Sequence, residues 1–376
     1  MKFNLSKGPY LRSRQSTTKK MLALSASLLI VWIASIVSHS LVYEFYYGMM
    51  AFLIGLTSLV TTFLVDILMA FSKGKRGKEI FKFTLKSYSY VTALIFALCL
   101  PVGTPLYVVA IGAIVGTLIG KHLFGGFGFN IFNPAAIGRV FVGLSFATKL
   151  TVPNVSMYDL SAGATVTGAA NWTNIKLPGS YMFKDLFLGG YPSALGESFT
   201  ILLLIIGLFL IITGIANWRL MVTYLLTISL TALGLSFAFN TGNEIFYVLK
   251  HVLTGGILFG TVFMITDPVT APKDPYGKIL YAIGAGFLTM LIRVNSSYPE
   301  GMAFSLLIMN ILVPTIDSLV RGVTSRKTWL KYSLITSFLV ISCLLNVVIA
   351  KNITFNEGTA YVNSEANIVL RGDTYE

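Results

Sequence analysis

The sequence predicts an all-α polytopic membrane protein, and three observations carry that prediction. Of its 376 residues, 55% are hydrophobic and only 11% charged, with a mean hydropathy of +0.76, far from the averages of soluble domains. The apolar residues fall in runs sufficient for about ten or eleven transmembrane helices of about 20 residues each. Short segments rich in Lys and Arg separate several of these runs, the charge pattern of cytoplasmic loops. Spans of that number leave about 160 residues for loops and tails, too few for a separate soluble catalytic domain.

The remaining composition narrows the class further. The net charge of +13 comes from basic residues flanking apolar runs, so it reads as topology and not as a nucleic-acid surface. Cys99 and Cys343 both lie inside apolar runs without a CxxC spacing, which argues against a disulfide framework or an iron–sulfur cluster held by this chain alone. The first run, from Met21, is long enough to span and does not read as a cleavable signal.

Taken in order, the spans are expected near 21–42, 47–71, 87–101, 105–121, 136–150, 199–216, 219–239, 246–266, 279–294, 300–320 and 331–350. Residues 1–20 carry six Lys or Arg and the loop 72–86 another six, which places both in the cytoplasm. Counting crossings then puts 151–198 outside, in agreement with its low basic content. The expected organisation is a basic N-terminus (1–20), a first membrane repeat (21–150), an extracytoplasmic loop (151–198), a second repeat (199–320), and an additional helix with an extracytoplasmic tail (321–376).

The halves resemble each other at a shift of about 166 residues. Pro101-Val102-Gly103-Thr104-Pro105 matches Pro268-Val269-Thr270-Ala271-Pro272, Lys121 lies near the counterpart of Arg293, and Asn133-Pro134-Ala135 near that of Tyr298-Pro299-Glu300. Five spans per half make the repeat inverted, and Pro/Gly interruptions at corresponding places point to broken helices that meet inside the membrane.

Two loops stand out. Residues 122–135 contain three glycines, Gly125, Gly126 and Gly128, and four phenylalanines before Asn133-Pro134. Either the backbone approaches a planar ligand there, or the glycines let a re-entrant turn pack tightly; the residues alone leave both open. The outer segment reads Asp159-Leu160-Ser161-Ala162-Gly163-Ala164-Thr165, which by itself is a small-residue connector.

That outer motif resembles the signature read by flavin transferases, which esterify FMN through its phosphate to the last threonine. Asp159, Gly163, Ala164 and Thr165 are in place, with Ala162 at the tolerant Ser/Thr position. Further blocks resemble one family, the B subunit of the sodium-translocating NADH:quinone reductase (Nqr) and the D subunit of the Rnf ferredoxin:NAD oxidoreductase complex. They are Gly120 to Gly126, Asn133 to Arg139, Gly196-Glu197, Gly214 to Arg219, Thr266 to Pro272, and Arg293 through Tyr298-Pro299-Glu300-Gly301 to Asp317. The N-terminus Pro9 to Thr17 is more similar to the Rnf protein, whereas Arg293-Val294-Asn295 and Tyr298 to Gly301 lean towards the Nqr one.

The resemblance implies a urea-transporter type of fold, FMN held covalently by Thr165, and a second flavin such as riboflavin. It also implies a flavin transferase for maturation, partner redox and membrane subunits, Na⁺ or H⁺ as coupling ion, and a place in the cytoplasmic membrane. The span 331–350 departs from the usual ten-span pattern. A channel or secondary transporter of inverted-repeat fold is the alternative, and it has no use for the Asp159–Thr165 loop.

Acids embedded in apolar runs are the remaining candidates. Asp267, Glu300, Asp317 and Asp66 are expected either on a cation path or as helix caps and solvated carboxylates. His122 and His251 are read as packing residues.

Overall fold

The computed structural model describes residues 16–150, 187, 193–295, 301–320, 333 and 335–351. Six helices in the first half are α1 (Thr17–Val42), α2 (Phe45–Ser72), α3 (Lys78–Ser87), α4 (Ser89–Leu98), α5 (Leu106–Thr117) and α6 (Pro134–Ser145). Six follow in the second half: α7 (Thr200–Ile212), α8 (Trp218–Phe239), α9 (Glu244–Leu253), α10 (Ile257–Phe263), α11 (Pro275–Asn295) and α12 (Gly301–Val320). An apolar helix over Ile335–Lys351, α13, comes last. Among the described residues pairing of extended backbone is limited to one isolated bridge, Pro101 with Ala194.

Each apolar run expected to span holds a helix. Among the described residues five helices, α1, α2, α8, α11 and α12, are long and apolar enough to cross a membrane, six if the pair α9 and α10, bent by 52°, is one broken span. The others are 10–17 residues long. At about 1.5 Å per residue they reach about 15–25 Å, short of a hydrocarbon core of about 30 Å. The stretch read as the loop 72–86 also contains α3, whose Ile80 and Thr84 face inward while Lys78, Lys82 and Lys86 stay outside.

The helix order repeats. α3 and α9 are both ten residues long and begin 166 positions apart, the shift found in the sequence. α2 packs on α3 and α5 as α8 packs on α9 and α11, and α5 packs on α6 as α11 packs on α12. α6 against α12 and α1 against α7 join the halves.

Local chemistry sets the ends. Ser16 accepts from the Lys19 N–H to cap α1, Asn217 and Asn243 cap α8 and α9, and Asn133 followed by Pro134 opens α6. The outer faces carry large apolar side chains such as Leu29, Ile33, Leu64 and Leu208, while hydroxyls point inward. Ser58 donates to the Ala93 carbonyl at 2.8 Å, and Thr62 returns its hydroxyl to its own helix. Polar glue inside and hydrocarbon outside is the arrangement that lipid favours. α5 lies so close to α6 that a Cβ on Gly120 would sit 2.8 Å from the Pro134 Cα.

Candidate functional site

The interruptions after α4 and α10 meet. Cys99 Sγ lies 3.8 Å from Met264 Sδ, and the Asn133 amide donates to the Met264 carbonyl at 3.4 Å. With the Asn310 amide turned so that its nitrogen donates to Tyr281 Oη, its oxygen accepts from the Asn133 N–H at 3.0 Å. Asn133 thus ties α6, α12 and the second break while its Oδ1 caps Ala135 and Ala136. The segment that leads into α7 enters the same crossing: Leu195 N–H donates to the Leu100 carbonyl, and a Cβ on Gly196 would meet Phe259 at 2.7 Å and the Leu98 carbonyl at 2.9 Å.

Beside this crossing an apolar cleft opens between the two halves. Tyr88, Phe127, Asn130, Lys121, Phe263 and Asp267 are among the residues lining it. Tyr88 joins α3 to α4 in the left-handed region, at φ 53°, a strained backbone for a bulky residue. Its ring lies 4.9 Å from that of Phe127. A second hollow adjoins the cleft and brings Lys20, Lys273 and Lys278 to its border.

Behind the cleft is a buried polar cluster. Helix α5 ends in a π-turn over Leu118–His122, a form that often marks functional places, and it carries the consecutive Lys121 and His122 into the interior. His122 Nε2 lies 2.6 Å from Asp66 Oδ1, which also accepts from Ser89 Oγ at 2.9 Å and from Ser87 Oγ at 3.2 Å. Lys121 Nζ donates to Ser89 Oγ at 2.8 Å and to the Ser87 carbonyl at the end of α3. The second half has a related device. Arg293, fully buried, donates to the carbonyls of His251, Thr254 and Gly255 at the end of α9. A cation from the fifth helix therefore closes the short amphipathic helix in both halves.

The expected site residues fare differently. Asp267 lines the cleft, but its Oδ1 accepts from the Val269 N–H at 3.0 Å and its Oδ2 from Thr270 at 3.1 Å, so it also holds its own turn. Asp317 sits apart, accepting from the Lys273 N–H at 3.2 Å. Gly125, Gly126 and Gly128 have φ of 113°, 104° and 91°. No atom lies within 4 Å of a Cβ built on Gly126 or Gly128, so backbone conformation, not close packing, requires glycine at those two places. Phe127 and Asn130 from this loop do reach the cleft. Asp159, Gly163, Ala164, Thr165 and Glu300 lie outside the described residues.

The reading of His122 as a packing residue missed its contact with Asp66. The available signal was one acid inside an apolar run, which named no partner. Among the described residues no group of three or more His, Cys, Asp or Glu side chains is placed to hold a metal ion.

Comparison with known proteins gives a consistent set of matches. The chain is 33% identical over 335 residues to the D subunit of the proton-translocating ferredoxin:NAD(+) oxidoreductase complex of Clostridium ljungdahlii, covering 85% of this chain and 95% of that one. It is 35% identical over 249 residues to the D subunit of the Na(+)-translocating ferredoxin:NAD(+) oxidoreductase complex of Acetobacterium woodii, 63% of this chain and 73% of that one. The B subunit of the Na(+)-translocating NADH-quinone reductase of Chromohalobacter salexigens is 35% identical over 279 residues, 71% of this chain. The match spans 66% of the length of that relative. A family model matches residues 4–325, and the chain belongs to the NQR2, RnfD, RnfE family.

Proposed function

We propose that the chain is the membrane subunit of an ion-translocating oxidoreductase complex, passing electrons through FMN esterified to Thr165 and coupling them to Na⁺ or H⁺ movement. The observation that carries the reading is the family match over residues 4–325. The relatives' names add that they are subunits of ferredoxin:NAD(+) or NADH-quinone complexes, so other redox and membrane subunits complete the activity, while the FMN ester rests on the Asp159–Thr165 motif of the sequence. A flavin transferase is required for the ester, and the chain works in the cytoplasmic membrane.

The cleft between the breaks suits a second, non-covalent flavin such as riboflavin. Tyr88, Phe127 and Phe263 offer apolar faces, and Asn130, Lys121 and Asp267 offer donors and acceptors for a ring edge. A bound flavin supplies one- and two-electron chemistry. The chain's own residues would exclude water from it, fix its orientation, and set a positive and a negative charge at its margin. Asp267, beside a break rich in backbone carbonyls, is the carboxylate best placed to share a cation there.

The test uses the complex purified with its partners. Fluorescence of the denatured chain in a gel should vanish in Thr165→Val and persist in Thr167→Val, with both chains inserted at equal abundance. Flavin released by acid should drop in Phe127→Ala. Fluorescence that survives in Thr165→Val overturns the assignment of the ester.

A further inference from the structure

We infer that His122, Asp66, Ser89 and Lys121 form a proton relay from the basic side of α3 to the cleft between the two breaks. It rests on the reading that a flavin occupies that cleft.

Burial comes first. Asp66, Lys121 and His122 are 0%, 2% and 5% exposed in a chain built to lie in lipid. Ionisable groups at such depth are costly enough that function is the default explanation. Continuity comes second. His122 Nε2 to Asp66 Oδ1 is 2.6 Å, Asp66 Oδ1 to Ser89 Oγ 2.9 Å, and Ser89 Oγ to Lys121 Nζ 2.8 Å, each within hydrogen-bond reach.

The two ends also differ. Lys121 lines the cleft, where Lys20, Tyr88 and Asp267 are the other titratable side chains. The His122 ring stacks on Phe83 at 6.3 Å, and Lys75 and Lys73 lie 4.1 and 5.3 Å from the centre of that Phe83 ring. The His122 end therefore lies towards the loop that its charge places in the cytoplasm, and the Lys121 end lies in the interior.

Closing the end of α3 does not account for the cluster. The Lys121 ammonium meets the Ser87 carbonyl by itself, and Ser89 links it to the Asp66 carboxylate. His122 is surplus to both tasks. Asp66 Oδ2 and His122 Nδ1 are buried with no hydrogen-bond partner among the described residues, whereas a purely structural network satisfies its buried atoms.

Proton bookkeeping closes without any electron. Lys121 gives one proton to the reduced group in the cleft, and its neutral amine takes the hydroxyl proton of Ser89. The His122 imidazolium protonates the Asp66 carboxylate, the carboxyl so formed refills Ser89, and the imidazole regains its proton from solvent on the side of Lys73 and Lys75. One proton reaches the cleft per cycle.

The experiment follows proton uptake with a pH dye while the flavins of the assembled complex are reduced in weak buffer. Asp66→Asn, His122→Ala and Ser89→Ala should each slow uptake about tenfold or more, at wild-type flavin content. Added imidazole should restore the rate in His122→Ala alone, a rescue that a brace would not show. Uptake unchanged in all three variants overturns the relay. So does uptake that falls only in proportion to flavin content and is not restored by imidazole. Acid-released flavin is measured first: its absence from the wild-type cleft defeats the flavin reading, and this inference falls with it.

Discussion

Arg293→Met tests how much the closure of α9 contributes. In the folded chain this guanidinium serves three carbonyl oxygens, of His251 at 2.8 Å, Thr254 at 3.1 Å and Gly255 at 2.7 Å. Each buried carbonyl left without a donor costs about 1–3 kcal/mol, so three amount to roughly 3–9 kcal/mol. Methionine avoids the desolvation of a guanidinium, which offsets several kcal/mol. The net expectation is a loss of about 2–4 kcal/mol, with the bend between α9 and α10 loosened first. Arg293→Lys should lose about half as much, because one ammonium cannot serve three carbonyls spread as a planar fork does. Thermal unfolding of the purified chain in detergent, followed by size-exclusion of the soluble fraction, reads both. A melting temperature for Arg293→Met indistinguishable from wild type, with Arg293→Lys equally silent, would show that these carbonyls need no cation.

Three further outcomes are expected. Gly126→Ala and Gly126→Leu should destabilise alike, by about 1–2 kcal/mol in the same melting assay, since the strain lies in the backbone at φ 104° and no atom lies near the added Cβ; a clearly larger loss for leucine would restore side-chain packing as the reason. Asp267→Asn keeps an oxygen for the Val269 N–H, so the turn should persist while stimulation of electron transfer by Na⁺, or the linked H⁺ uptake, weakens in the complex; full cation dependence at normal turnover would leave Asp267 as a cap only. Ser161→Cys should react with an impermeant thiol reagent in intact cells and Gly77→Cys should not; labelling of the second alone would invert the topology.

Composition alone determined that this is a helical membrane protein, because burying apolar side chains in lipid requires long apolar runs, and every such run holds a helix. The 166-residue shift was also legible, since α3 and α9 keep it. So was the family, whose motifs are contiguous in sequence and survive any uncertainty about packing. Asp267 could be singled out as an acid beside a proline, though whether it faces a cleft or holds its own turn could not, and it does both. Full spans and half-length helices look alike in hydropathy, because the turn that separates them is set by contacts with the other half. Only the tertiary structure brought Asp66 within reach of His122, 56 positions away, with Lys121 beside them. The physical reason is that an isolated charge in an apolar run signals a cost but not its compensation: the partner that makes its burial tolerable comes from another helix, and the sequence does not say which.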